Sequence, residues 1–161
     1  MFQLLIKSHS LLVKVAKLLQ HPFLLFVRLY FGWQFFQSGW GKFHRIPQVV
    51  RYFAEDLHIP MPTLNVYIAA STECFGGLLL MVGLFSRLIS IPLAFTMVVA
   101  YATAESGALK MIFSEPGKFT GADPFPFLFT ALVVLFFGPG FFSLDRLIDA
   151  LFIKGKKNSG C

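Results

Sequence analysis

Arg28 to Lys42 reads RLYFGWQFFQSGWGK. The stretch lies inside an apolar run that begins near Pro22 and reads as a transmembrane helix. At helical spacing, Arg28, Gly32, Phe35, Gly39 and Lys42 share one face. That face carries a charge at each end with glycines between. Glycine on a membrane helix admits a close neighbour. An arginine in hydrocarbon costs about 2.5–3.5 kcal/mol on insertion scales, so this face turns toward protein. Tyr30, Gln34 and Gln37 make a second polar strip, and Leu29, Trp33, Phe36 and Trp40 form an apolar stripe able to meet lipid. Such a helix packs on more than one side, and the rest of the chain is organised around it.

The composition agrees with a membrane protein. Of 161 residues, 56% are hydrophobic and only 14% charged, against about 25% charged in a soluble domain. The net charge of +6 comes from basic residues gathered at the ends of apolar runs. That is the pattern of membrane topology, and no nucleic-acid partner is expected. The two cysteines, Cys74 and Cys161, form no CxxC pair. No disulfide framework or zinc site can be built from them, which argues against a self-contained thiol oxidoreductase.

Residues 1–20 place Gln3, Lys7, Ser10, Lys14, Lys17 and His21 on one helical face. This predicts a basic amphipathic helix over 1–20, lying on an anionic leaflet. Lysines recur through it and no small-residue cleavage site follows, so it does not read as a signal peptide. Pro22 then suits the start of the first span. The membrane domain, 21–148, holds four spans, at about 22–41, 64–85, 88–105 and 125–142. Between the first two lies a polar-aromatic connection with a short amphipathic helix, Gln48 to Leu57. Glu73, Gly76, Leu80, Gly83 and Arg87 share a face at the second span. The turn GLFSRL makes spans two and three antiparallel neighbours. Gly and Pro punctuate a long connection from Ser106 to Pro124. After a short helix to Ile153, the basic tail within 149–161 is expected to be disordered. The fold class is therefore all-α: a four-helix transmembrane bundle behind an N-terminal surface helix. Four spans put both termini on one side. That side holds eight Lys and Arg against five on the other, which places both ends in the cytoplasm.

The ordered set Arg28-x3-Gly32, Ser38-Gly39-x2-Lys42, Glu73 and Gly83-Leu84-x2-Arg87 resembles the DoxX family of small four-helix bacterial membrane proteins. The resemblance covers about residues 22–148. It implies an inner-membrane protein tied to redox chemistry. Relatives include a subunit of a thiosulfate:quinone oxidoreductase and a partner of superoxide dismutase and a sulfurtransferase. No agreed catalytic residues come with it.

The candidate polar network is Arg28, Gln34, Lys42, Glu73, Arg87, Tyr101 and Glu105. Arg28 and Glu73 are expected to form a buried ion pair, a polar cavity for a quinone headgroup or proton relay, or both. Lys42, Tyr101, Glu105 and Asp123 fall toward the outer face, as snorkelling side chains or as the rim of that cavity. Gly32, Gly39, Gly76 and Gly83 are the helix-packing positions. His44 and His58 read as surface residues, Cys74 as a small core residue, and no metal site is proposed. Without intramembrane histidines for haem or a cysteine cluster, no intrinsic cofactor is expected. The leading function is a membrane subunit of a redox system, working with quinone and soluble redox proteins. The rival is a non-catalytic membrane anchor or small-molecule binding protein. The lipid bilayer is the first partner, and a homo-oligomer is compatible with either reading.

Overall fold

The computed structural model describes residues 2–158, which are helical or in turns and short connections. The first helix, α1 (Phe2–His44), runs 43 residues and carries Pro22 inside it. The expected division into a separate surface helix and a span starting at Pro22 is absent. Pro22 cannot donate to the carbonyl of Leu18, but Leu18 stands on an exposed turn, where water can take the freed carbonyl. Leucine and lysine, good helix formers, sustain the helix on either side.

A short helix, α2 (Ile46–Glu55), leads to α3 (Pro62–Val82). Pro62 suits the first helical turn, where its missing N–H is not needed. At the other end Gly83 takes φ 72° and closes α3 with bonds from its N–H and that of Leu84 to Leu79 O, a left-handed cap that glycine adopts without strain. After this tight turn comes α4 (Ser86–Thr103). The connection beyond contains two short helices, α5 (Ser106–Lys110) and α6 (Pro116–Gly121). Next is α7 (Pro124–Phe137). It was expected to reach about 142. Gly138 and Gly140 both adopt positive φ, and Pro139 between them offers no N–H, so the helix ends despite the phenylalanines that follow. Finally, α8 (Leu144–Asn158) carries helix through the basic residues expected to be disordered. Residues 159–161 lie outside the described part.

Among the described residues, three helical stretches are long and apolar enough to cross a membrane: Ile6–His44, Pro62–Val82 and Ser86–Thr103. The apolar α7 is shorter. These elements pack in sequence, α1 on α3, α3 on α4, α4 on α7 and α7 back on α1. Each runs antiparallel to the next. Phe35, Leu80, Leu93, Met97, Ala131 and Val134, from all four, form the buried core. Phe127 meets Phe35 edge-on, with ring centroids 4.7 Å apart.

The face of α1 bearing Arg28, Gly32, Phe35 and Gly39 is buried. Tyr30 and Gln37 of the second polar strip are exposed and Gln34 is half-buried, so that side is not a packing face. The α1–α3 seam is backbone on backbone. A Cβ on Gly77 would stand 2.5 Å from Gly32 O and 2.6 Å from Phe36 N. One on Gly39 would meet Cys74 N and stand 2.6 Å from Ala70 O. Gly76 instead faces the Leu93 side chain, 2.9 Å from such a Cβ.

We expect Gly39→Ala and Gly77→Ala to lower the melting temperature in detergent, since overpacking costs about 1–3 kcal/mol. Gly76→Ala should cost less, because a leucine side chain yields more readily than backbone. Gly41→Ala, whose Cβ has only Arg45 Nη2 at 3.5 Å, should melt as wild type. Equal melting for all four proteins would contradict the seam.

Candidate functional site

The seam fixes how charges on α1 meet α3. Lys42 sits near the end of α1, and its side chain leans back one turn, as helical side chains do. Lys42 Nζ donates to Ser38 Oγ at 2.9 Å and forms an ion pair with Glu73. Glu73 is 3% exposed and Lys42 24% exposed, so the carboxylate depends on this partner. Arg28 does not reach Glu73. It lies beside Gly83, ten residues further along α3, or about 15 Å of helix. The expected Arg28–Glu73 pair is thereby replaced by Lys42–Glu73.

Beside this pair lies a cavity of about 310 Å³, at the small end of the ~300–1,000 Å³ seen for ligand sites. Phe35, Ile68, Phe95, Met97, Val99 and Phe127 supply apolar wall from α1, α3, α4 and α7. Leu57 and Ile59, in the link between α2 and α3, and Phe53 of α2 also line it. The polar groups are Lys42, Glu73, Ser38, Tyr52, Asn65, Thr96, Thr103 and Asp123. A second, more polar recess of about 350 Å³ shares Ser38, Lys42 and Tyr52 with the first and adds Gln37, Arg45 and Gln48. Lys42 thus stands between an apolar chamber and a polar recess. An ammonium group has three donors, and two are engaged by Ser38 and Glu73.

The other residues of the expected network are elsewhere. Tyr101 is buried, donates to Phe119 O at 2.7 Å and stacks on the Phe119 ring, tying α4 to α6. Glu105 is half-buried at the start of α5, and Gln34 lines neither cavity. Arg28 and Arg87 lie at the opposite end. There Arg28, wholly buried, donates to Phe142 O, while its Nε and Nη1 find no acceptor among the described residues. Asp145 at the start of α8 accepts from Phe85 N at 2.6 Å and Ser86 N at 2.9 Å, and its own N–H donates to Gly83 O at 2.9 Å. Asp145 caps α4 from about sixty positions away in the chain, a distance at which no sequence periodicity signals it. Ser38, four residues before Lys42, was findable from helical spacing.

Residues 23–106, just over half of the chain, match the DoxX family model. The chain belongs to the DoxX family. This DoxX protein is 29% identical over 134 residues to the "Putative oxidoreductase CatD" of Bacillus subtilis, covering 83% of this chain and 90% of that protein. It is also 29% identical over 139 residues to an uncharacterised membrane protein of Mycobacterium tuberculosis, covering 80% and 82%. No solved structure gives a significant match. The matched region contains both members of the Lys42–Glu73 pair.

Removing one side of the pair strands the other. Lys42→Met should destabilise the DoxX protein by about 2 kcal/mol, and the double variant Lys42→Met/Glu73→Gln should recover much of that loss. Thermal unfolding in detergent of wild type, Lys42→Met, Glu73→Gln and the double variant measures the coupling. Additive losses would show that Glu73 has no need of Lys42.

Proposed function

We propose that this DoxX protein is a membrane subunit of a redox system whose cavity holds the ring of a lipophilic quinone. The observation that carries this reading is the place of Lys42, whose ammonium group lines an apolar chamber with one donor left over. A quinone matches that arrangement: its ring and isoprenoid tail suit the apolar wall, and a ring carbonyl accepts the remaining Lys42 N–H. Quinone reduction takes up protons with the electrons. Lys42 holds exchangeable protons at the wall, Glu73 is the base beside it, and the polar recess gives Lys42 an aqueous side. The electrons come from a soluble partner protein. The oxidoreductase name of the Bacillus relative supports the redox assignment. The same cavity also favours the second reading, a small-molecule binding protein without catalysis.

In this reading α7 is a fourth span, and both termini lie on the cytoplasmic side of the inner membrane. The alternating directions of α1, α3, α4 and α7, and the eight-to-five excess of Lys and Arg, support it. The early part of α1, with Lys7, Lys14 and Lys17, continues the first span on the side of the Lys and Arg excess, next to anionic headgroups.

Quinone titration of the purified full-length protein, with partner proteins added in a parallel series, tests the assignment. Wild type should bind. The folded double variant Lys42→Met/Glu73→Gln should bind at least about tenfold more weakly, the loss of the one charge-assisted contact from Lys42. Wild type that binds no quinone in either series would leave only the non-redox reading. For topology, single cysteines at Gln48 and Ala150 in a cysteine-free background should react differently with an impermeant thiol reagent in intact cells. Gln48→Cys should label and Ala150→Cys should not; the reverse pattern inverts the orientation.

A further inference from the structure

At the end remote from the quinone cavity, α7 stops after 14 residues where its neighbour α4 has 18. The missing turn, about 6 Å of helix, leaves a corner of the packed set unfilled. There the chain doubles back through Gly138-Pro139-Gly140. A cleft of about 900 Å³ opens between His21 of α1, the start of α4 and the first turns of α8. It shares no lining residue with the cavity beside Lys42, so its role stands apart from the quinone assignment.

The charges in the cleft are unbalanced in use, although not in number. Arg87 lies along the Gly138 backbone, its Nη2 3.2 Å from where a Cβ would be. Arg87 and Arg146 both line the cleft, and neither forms an ion pair among the described residues. Of the two carboxylates, Asp145 is committed to Phe85 N and Ser86 N. That leaves two guanidinium groups facing the single uncommitted acid, Asp149. The rim is different in kind. Phe85, Leu88, Phe137 and Phe141 border the cleft, each more than half exposed. A free anion has no use for four exposed apolar side chains. The cleft also lies where α3 ends and α4 begins, the level at which an apolar helix passes from hydrocarbon to headgroups.

We propose that this cleft binds a glycerophospholipid, with Arg87 and Arg146 donating to the phosphodiester and the acyl chains running along Leu88 and the exposed Ile91 of α4. Guanidinium groups suit this task because their planar N–H pairs match phosphate oxygens. Asp149 adds a seat for the ammonium of an ethanolamine headgroup.

Native mass spectrometry of the delipidated full-length protein in detergent tests this. It would be titrated separately with dioleoyl phosphatidylethanolamine, dioleoyl phosphatidylglycerol and dioleoylglycerol, which has the same chains but no phosphate. Both phospholipids should bind at least about tenfold more tightly than dioleoylglycerol, and Arg87→Gln and Arg146→Gln should each remove about tenfold of that preference. Arg146 is exposed on α8, so its variant decides the matter if Arg87→Gln does not purify. Millimolar inorganic phosphate should leave the lipid bound. Equal binding of dioleoylglycerol, unchanged preference in the variants, or displacement by phosphate would each overturn the proposal; the last would mark a site for a soluble anion.

Discussion

The contact on which everything else rests is the approach of α1 to α3 through Gly32, Gly39 and Gly77. Here the two backbones come within van der Waals distance, so neither helix can slide or rotate past the other without a clash. In water such a contact would be reinforced by the hydrophobic effect. In lipid, where tails are as apolar as leucine, close packing itself must hold the helices together. The seam also sets the register. With Gly39 lodged against Ala70 and Cys74, Lys42 can only fall beside Glu73, and Arg28 can only fall beside Gly83.

That register places a polar fastening at each end of an apolar core. At one end the Lys42–Glu73 pair joins α1 to α3 and borders the cavity. At the other, Arg28 reaches from α1 to the backbone after α7, while Asp145 holds both the close of α3 and the opening of α4. The two fastenings differ in character. Glu73 is answered by the ammonium group of a long side chain that lines two cavities. Asp145 is answered by fixed backbone N–H groups, which suit a permanent cap.

Much of this was legible in the residues. The face Arg28, Gly32, Phe35, Gly39 turns inward because charge and glycine have no favourable place against lipid, and that argument needs no partner. The pairing of Glu73 was not legible. Two intramembrane charges of opposite sign suggest an Arg28–Glu73 pair, whereas the glycine contacts place them about 15 Å apart along the helices. Lys42 falls toward the outer face, as a snorkelling side chain or on the cavity rim, because its Cα lies near the end of α1; its long side chain leans back toward Ser38 and Glu73. Asp145 joins residues distant in the chain, and periodicity records only near neighbours. Pro22 misled in the opposite sense: a local breaker was overridden by strong helix formers on either side. At Gly138-Pro139-Gly140, by contrast, the apolar phenylalanines beyond drew the expected span past a stop that the chain obeys.

The brevity of α7 also bears on the surrounding bilayer. At 1.5 Å per residue, α3 with 21 residues reaches about 31 Å and α7 with 14 about 21 Å, against a hydrocarbon core of about 30 Å. The α3 flank matches that thickness, and the α7 helix falls short of it by roughly a third. In the proposed four-span arrangement, lipids beside α7 would compress or tilt, and that elastic cost grows with the perimeter of the thinned patch. Two molecules that share such a patch deform less bilayer than two apart. With α7 as the fourth span, the mismatch would draw α7 flanks together without any side-chain contact, and less so as the membrane becomes thinner.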